Sequence, residues 1–230
     1  MNMKKGAILQ SNYIPWKGYF DIIRKVDVFI FYDDVQYTKR DWRSRNKIKT
    51  SVGAQWLTIP CGSDERRLIC DVVLNDTTWQ KQHWQRIEHS YKKAPFFNQY
   101  KPFFEEIYLN QQWSNLSDFN QFVIKKISKE LLGINTKFED SRVYNLQHRK
   151  GERIIELLLK AGIDYYVSGP AAKDYITDET FHKENIAIEW MDYSDYPEYN
   201  QLYPPFDHYV SIIDLIFNEG SNAINYMKSI

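Results

Sequence analysis

The chain has 230 residues, enough for one well-buried domain, and its 30 lysines and arginines balance its 30 aspartates and glutamates. This balance excludes a global positive field that would attract nucleic acid or an anionic membrane. No apolar run reaches the roughly 18 residues that a membrane-spanning helix needs, and two cysteines are too few to staple a secreted scaffold. We therefore expect a cytoplasmic protein that has no membrane span and no nucleic-acid partner.

The first predicted elements form a strand–helix–strand unit. Residues 7–10 are predicted as a short buried strand, residues 15–26 as a helix with Pro15 in its first turn, and residues 28–32 as a second strand. The second strand is a continuous apolar run, which is typical of a strand covered on both faces. We expect the two strands to be parallel and joined by a right-handed crossover.

Strand and helix patterns alternate along the rest of the chain. Residues 55–60 and 68–74 are predicted as an antiparallel pair, and further strands are predicted over 135–139, 165–167 and 186–190. Helices are predicted over 79–94, 102–109, 116–132, 152–161 and 211–218. The pattern predicts an α/β fold with a mostly parallel sheet begun by a βαβ unit, an antiparallel strand pair and a helical middle segment. We expect a single domain over 1–230, in which the helical stretch at about 79–133 is a candidate insertion.

Polar clusters follow three of the predicted strands. Gln10 to Tyr13 follows the first strand, Asp33 and Asp34 follow the second, and a Ser-Gly-Pro sequence at 168–170 follows a later one. Ligands of parallel sheets bind beyond the carboxyl ends of the strands, where the strand order reverses. The connectivity therefore predicts one common site for these clusters.

Asp33 and Asp34 have several possible roles in such a site. A carboxylate there could bind Mg²⁺, accept hydrogen bonds from a sugar or act as a general base. Adjacent side chains of an extended segment point to opposite sides, so we expect only one of the two to face the site. The alternative is a pair of turn carboxylates held by arginines.

An aromatic and basic stretch follows at residues 37–46. Its guanidinium groups, on Arg40, Arg43 and Arg45, suit phosphate or carboxylate, and Trp42 among them could stack on a base or a sugar. The alternative is the solvated face of a hairpin. Cys61 beyond it is a candidate nucleophile or, as we favour, an inert structural thiol, since no base accompanies it in the sequence.

The five histidines are scattered, and none forms a zinc-binding pair with the spacing of a hydrolase. His83, on a predicted helix among aromatic residues, and His208, just before the last helix, are candidates for a general base. The alternative, which we favour for each, is a structural histidine. The sequence contains no Walker phosphate loop, no dinucleotide fingerprint and no esterase nucleophile elbow.

Several of these motifs together resemble the WbqC-like proteins. The matching residues are Gln10, Tyr13, Pro15-Trp16, Gly18-Tyr19-Phe20, Asp33-Asp34-Val35-Gln36-Tyr37, Arg40, Trp42, Arg45-Asn46, Ile48, Trp56 to Pro60, Tyr91 to Phe97, Tyr166 to Gly169 and Ser211 to Gly220. The resemblance covers nearly the whole chain. It departs at Ser11, where the family commonly has proline. Members of this family typically lie in gene clusters for O-antigen and other surface polysaccharides. The resemblance therefore implies that the protein acts on nucleotide-activated sugars.

Three functions follow as hypotheses. The first is an N-acyltransferase that attaches an acyl or aminoacyl group to the amine of a nucleotide-linked amino sugar, with acyl-CoA or another activated acyl donor. The second is an ATP- and Mg²⁺-dependent ligase or nucleotidyl-transfer enzyme, and the third is a non-catalytic sugar-nucleotide binding or scaffold protein. The sequence leaves open whether the helical middle covers the site or forms a homodimer surface.

We assign the site roles from the chemistry and position of the residues and not from the family resemblance. The predicted catalytic residues are His83, Asp34 and Asp33. The predicted substrate-binding residues are Gln10, Tyr13, Trp16, Tyr37, Arg40, Trp42, Arg45, Asn46, Ser168, Gly169 and His208. We predict no resident metal ligands.

Overall fold

A computed structural model of the chain describes residues 3–174 and 178–228. Five strands form one parallel sheet: β1 (Lys5–Leu9), β2 (Val28–Phe31), β5 (Lys137–Asp140), β6 (Tyr165–Ser168) and β7 (Ala187–Trp190). A separate antiparallel pair consists of β3 (Arg45–Thr50) and β4 (Gly53–Thr58). The predicted fold class is confirmed.

The strand order of the sheet is β5-β2-β1-β6-β7. The chain thus builds outward from β1 to one edge, and then returns to the other side of β1 with β6 and β7. This is the doubly wound arrangement, and its strand order reverses between β1 and β6. The carboxyl ends of these two strands therefore mark the place where such sheets bind ligands.

Helices cover both faces of the sheet. They are α1 (Lys17–Arg24), α2 (Thr78–Tyr91), α3 (Phe97–Leu109), α4 (Leu116–Lys126), α5 (Lys150–Ala161), α6 (Asp178–His182) and α7 (Ile212–Glu219). No helix among residues 3–174 and 178–228 is long and apolar enough to cross a membrane.

The sheet separates two hydrophobic clusters because successive side chains of a strand point to opposite faces. Ala7 and Phe29 belong to the larger cluster, which includes residues of α1, α2, α3, α4 and α7. Ile8 and Ile30 belong to the smaller cluster, with residues of α5 and with Phe181. The continuous apolar sequence of β2 is explained by this burial on both faces.

The antiparallel pair was predicted correctly as a motif but with one wrong strand. β4 pairs with β3, which precedes it, through a two-residue turn, and not with residues 68–74. Leu68 and Val73 make only isolated bridges, to Gln36 and Asn115, and a 3-10 turn over Ile69–Asp71 separates them. The sequence of β3 is mostly polar, so its strand character was not visible.

Helix boundaries also differ from the prediction, most of all in α1 and α3. Helix α1 begins at Lys17, so that Pro15 lies before the helix and Trp16 is its N-cap. Helix α3 begins at Phe97 and contains Pro102, the residue at which the sequence pattern predicts its start. Helix α4 continues as a π-helical segment over Ile127–Leu131.

Candidate functional site

The loop that follows β1, residues 10–16, is held in place by hydrogen bonds from other parts of the chain. The Tyr13 N–H donates to the Trp42 carbonyl (2.9 Å). The buried Asn46 side chain donates to the carbonyls of Tyr13 (3.0 Å) and Ile14 (2.9 Å). Asn46, at the start of β3, thus positions the loop beyond β1.

One residue of this loop has an unfavourable backbone conformation. Ile14 is fully buried and has φ +33°, in the region that β-branched residues rarely adopt. Such a conformation costs on the order of 1–3 kcal/mol and persists only when its surroundings fix it. The two amide hydrogen bonds from Asn46 supply that constraint.

A cleft lies against this loop, and we call it the aromatic cleft. Its volume is about 230 Å³, and its lining residues are Asn12, Pro15, Trp16, Trp42, Asn46 and Tyr209. Trp42 and Tyr209 are 43% and 68% exposed, so their rings stand at the open side. Ring faces of this kind suit a sugar or a base.

Trp16 connects the aromatic cleft to the switch point of the sheet. A Cβ atom at Gly18 would collide with the Trp16 indole, so the glycine allows this ring to lie against α1. The indole stands edge-on to Tyr193 at 5.2 Å between centroids. The Tyr193 hydroxyl lies 3.6 Å from where Gly169, directly after β6, would carry a Cβ atom. The cleft is therefore linked to the carboxyl ends of both β1 and β6.

The amide side chains that line the aromatic cleft belong to Asn12 and Asn46, and Arg43 lies beside Asn12. The Arg43 Nη1 atom donates to Asn12 Oδ1 (3.3 Å), and its Nη2 atom forms an ion pair with Asp41. Burial raises the pKa of Asp41, but Arg43 and hydrogen bonds from Thr38 and Trp42 outweigh it and hold that pKa below its usual value. The buried Arg43 Nε atom has no hydrogen-bond partner among the described residues.

Asp33 is a structural carboxylate of the loops beyond the sheet. It is fully buried and accepts hydrogen bonds from the Ser11 N–H (2.7 Å), the Ser117 hydroxyl (2.5 Å) and Gln121 Nε2 (3.1 Å). These bonds join the loop after β1 to helix α4. The three hydrogen bonds that the Asp33 carboxylate accepts all come from groups of the protein.

Asp34 lies at the same sheet edge but farther from the switch point. It accepts a hydrogen bond from the Ser141 hydroxyl (2.5 Å) and forms an ion pair with Arg153, whose guanidinium lies over the Tyr32 ring. Neither Asp34 nor Asp33 lines the aromatic cleft. Within the described residues, no group of three or more His, Cys, Asp or Glu side chains is placed to hold a metal ion.

His83 lies in the core behind the loop. Its side chain is buried, and its Nδ1 atom is 2.7 Å from the hydroxyl of the fully buried Tyr13, which also contacts the Tyr108 hydroxyl at 2.8 Å. Burial, with a contribution from Arg86, lowers the pKa of His83 to about 4, although a hydrogen bond with the Thr58 backbone opposes the shift. The structure thus brings neither His83 nor Tyr13 to the lining of the aromatic cleft.

His208 does not line the aromatic cleft, although the next residue, Tyr209, does. His208 lines a separate, small pocket with Lys17 and Tyr199. Its ring stands edge-on to Phe206 at 4.6 Å, and its buried Nδ1 atom has no hydrogen-bond partner among the described residues. Burial, together with the charge of Lys17, lowers the pKa of His208, so the neutral imidazole predominates at pH 7. Burial also lowers the pKa of Lys17 to about 8.

The other predicted residues are divided among three places. Tyr37 and Arg40 line a different cleft. Arg45 stacks on the Trp56 ring at 4.1 Å and does not line the aromatic cleft. Gln10, Ser168 and Gly169 lie directly after β1 or at the end of β6, where the Gln10 carbonyl accepts a hydrogen bond from Tyr19 (2.9 Å).

The structure therefore brings together Trp16, Trp42 and Asn46 from the predicted set. Sequence reasoning missed Asn12 and Tyr209 as lining residues. Asn12 stands between predicted residues and could have been included on position alone. Tyr209 reaches the cleft through a non-local contact, in which the Ile212 N–H donates to the Pro15 carbonyl (2.9 Å), and no sequence signal points to it.

Comparison with known proteins gives a family but no described activity. The model of the WbqC-like protein family matches residues 10–226 of the chain. The chain is 45% identical over 228 residues to a Mycobacterium tuberculosis protein described as "Uncharacterized protein Rv1507c", covering 98% of each chain. No solved structure matches.

Proposed function

Because the chain belongs to the WbqC-like protein family, we propose that it transfers an acyl or aminoacyl group to the amine of a nucleotide-linked amino sugar in surface polysaccharide biosynthesis. The sugar nucleotide binds in the aromatic cleft. The observation that supports this most is the position of that cleft, which lies against the loop after β1 and is linked through Trp16 and Tyr193 to Gly169, directly after β6.

The lining of the cleft supports a ligand with flat or ring-shaped parts. The indoles of Trp16 and Trp42 and the Tyr209 ring offer apolar faces, and stacking of one base on an aromatic side chain contributes on the order of 1–3 kcal/mol. Asn12 offers an amide for hydroxyl groups, and the Arg43 guanidinium beside it suits a negatively charged group of the ligand.

In this proposal His208 accepts the proton that the sugar ammonium loses. An amine attacks only as the neutral base, and the lowered pKa of His208 leaves its imidazole free to take that proton at neutral pH. The amine lone pair then forms the bond to the acyl carbon. The bond from this carbon to the leaving group of the donor breaks, and the leaving group takes that electron pair. The new amide nitrogen releases its second proton to solvent.

The test is turnover of sugar nucleotide and donor, followed by mass spectrometry. We expect one member of a panel of UDP- and dTDP-linked amino sugars, incubated with acyl-CoA or aminoacyl donors, to gain the mass of one acyl group. The variant His208→Gln should lower this turnover by about 10²-fold or more, whereas His83→Gln should not. Tight binding without turnover of any donor would favour a non-catalytic binding protein, and consumption of ATP with Mg²⁺ would favour a ligase.

A further inference from the structure

A second cleft lies beside segment 37–46 and shares no lining residue with the aromatic cleft; we call it the basic cleft. Its volume is about 370 Å³. It is lined by Tyr37, Lys39, Arg40, Ser44 and residues 58–63, from the loop before β3 and the segment that follows β4.

The interior of the basic cleft contains polar groups that carry no charge at neutral pH. The buried Tyr37 hydroxyl donates to the Ser44 hydroxyl (3.3 Å). Burial raises the pKa of the Cys61 thiol to about 11, although a Tyr37 hydrogen bond and the Arg67 charge oppose the shift. The thiol therefore stays protonated, which agrees with the structural role that the sequence favoured and leaves no negative charge on these three groups.

Its rim carries cations. Arg40 is exposed and has no hydrogen bond or ion pair with any described residue, whereas Lys39 is paired with Glu65 at 3.5 Å. Arg40 also has φ +55°, a conformation that costs a side-chain-bearing residue on the order of 1–2 kcal/mol. No described contact of the Arg40 side chain offsets this cost, and a bound anion would supply one.

The backbone adds donors to the same cleft. The N–H groups of Gly62 and Ser63 donate to no acceptor among the described residues. Gly62 has φ +73°, and a Cβ atom there would meet only Arg67, at 3.8 Å. Arg67 in turn donates to the Cys61 carbonyl and lies over the Tyr37 ring at 5.4 Å, which anchors this segment against the loop.

We propose that the basic cleft binds a phosphoryl group, as a phosphate monoester or a diphosphate. A guanidinium fork, an ammonium group and backbone N–H groups are the donors with which proteins bind phosphate. A phosphoryl group presents three oxygens to donors from several directions, whereas a carboxylate presents two in one plane. This proposal does not depend on the acyl-transfer function or on the aromatic cleft.

The first test is calorimetric titration with sodium pyrophosphate, with acetate as the carboxylate comparison. Arg40→Ala should weaken pyrophosphate binding by about tenfold, as expected for the loss of a charge-assisted hydrogen bond. Arg40→Gly should weaken it equally, and it should not unfold the chain because glycine accepts the positive φ. The control is Lys92→Ala, an exposed cation after helix α2. Equal affinities of Arg40→Ala and the control, or equal binding of acetate and pyrophosphate, would overturn the proposal.

A second test locates the ligand by protection of an introduced thiol. Cys61 and Cys70 are the two cysteines of the sequence, so in a Cys61→Ala, Cys70→Ser background the substitution Ser63→Cys places the one thiol of the chain at an exposed position that lines the basic cleft. Pyrophosphate at ten times its dissociation constant should slow modification of this thiol by a thiol reagent about tenfold, because a blocked cleft reacts only when empty. Unchanged modification at saturation would place the ligand elsewhere and overturn the proposal.

The same protection assay distinguishes the two sources of phosphate. UDP and acetyl-coenzyme A both carry a diphosphate, and the one that protects the thiol of the Ser63→Cys variant at the lower concentration identifies which type of substrate places its phosphates here. Trp42→Ala should leave protection by pyrophosphate unchanged, so failure of the acyl-transfer proposal and failure of this one give different results.

Discussion

The aromatic cleft and the basic cleft are built from neighbouring segments but differ in what holds their lining in place. The loop of the aromatic cleft is fixed by buried hydrogen bonds that Asn46 donates and Asp33 accepts, and its ligand-facing groups are mainly rings. The basic cleft presents an exposed and unpaired Arg40. In our two proposals, ring recognition relies on a loop held by buried hydrogen bonds, whereas charge recognition relies on an exposed side chain at a rim.

The largest expected effect is a loss of stability on replacing Asp33, which holds the loop after β1 and lines neither cleft. Asp33→Ala leaves the buried Ser11 N–H and Ser117 hydroxyl without their acceptor and removes one acceptor of Gln121, so we expect the free energy of unfolding to fall by about 4 kcal/mol. Urea denaturation measures this loss. The matched variant Asp34→Ala, at a carboxylate whose side chain is 16% exposed, should cost much less, and equal losses would contradict the scaffold role of Asp33.

A pH experiment tests the core behind the aromatic cleft. Burial, then Arg86, lowers the pKa of His83 from 6.5 to about 4, so between these values the unfolded chain binds the proton and the folded chain does not. The stability is therefore fully present above pH 6.5 and falls as the pH decreases to 4, by about 3 kcal/mol from this group.

The variant His83→Gln should reduce the loss of stability between pH 6.5 and 4. Urea denaturation at pH 4, 5, 6 and 7 measures the free energy of unfolding. His89→Gln is the control, since His89 lies exposed on the same helix. If both variants keep the steep loss of the unmodified protein, protonation of His83 is not its cause.

Replacing Asn46 should have a smaller effect on stability and should weaken binding only in the aromatic cleft. Asn46→Ala leaves the carbonyls of Tyr13 and Ile14 without their donor, at about 1 kcal/mol each, and releases the unfavourable conformation of Ile14. We expect about 2 kcal/mol lower stability and at least tenfold weaker sugar-nucleotide binding, because a shifted loop moves Asn12 and Trp16. Pyrophosphate binding to the basic cleft, measured by calorimetry, should not change, and a parallel loss there would show that the clefts are coupled.

The fold was accessible from sequence where the pattern was local. The apolar run at 28–31 and the polar residues after each strand sufficed to predict the parallel sheet and the common edge of its strand ends. The strand β3 was missed because only Asn46, Ile48 and Lys49 of its six residues are buried, so alternation is broken.

The candidate site could be predicted only in part, because some of its residues are brought together by contacts between distant segments. Trp16, Trp42 and Asn46 were found because they lie in one motif-rich stretch. His83 among aromatic residues looked the same in sequence as a base beside a ligand, and only the packing of Tyr13 and Trp79 against it reveals a core position. Tyr209 depends on a contact between segments nearly 200 residues apart.

Binding of a sugar nucleotide in the aromatic cleft can be tested by calorimetric titration of the unmodified protein and Trp42→Ala with the panel of nucleotide-linked amino sugars. Trp42 is 43% exposed at the aromatic cleft, so its removal should leave the fold intact and weaken binding about tenfold, as expected for one stacked ring. Binding of a panel member by the unmodified protein with this loss in the variant is the predicted result. No binding by the unmodified protein, or equal affinity in Trp42→Ala, would contradict the assignment of the aromatic cleft.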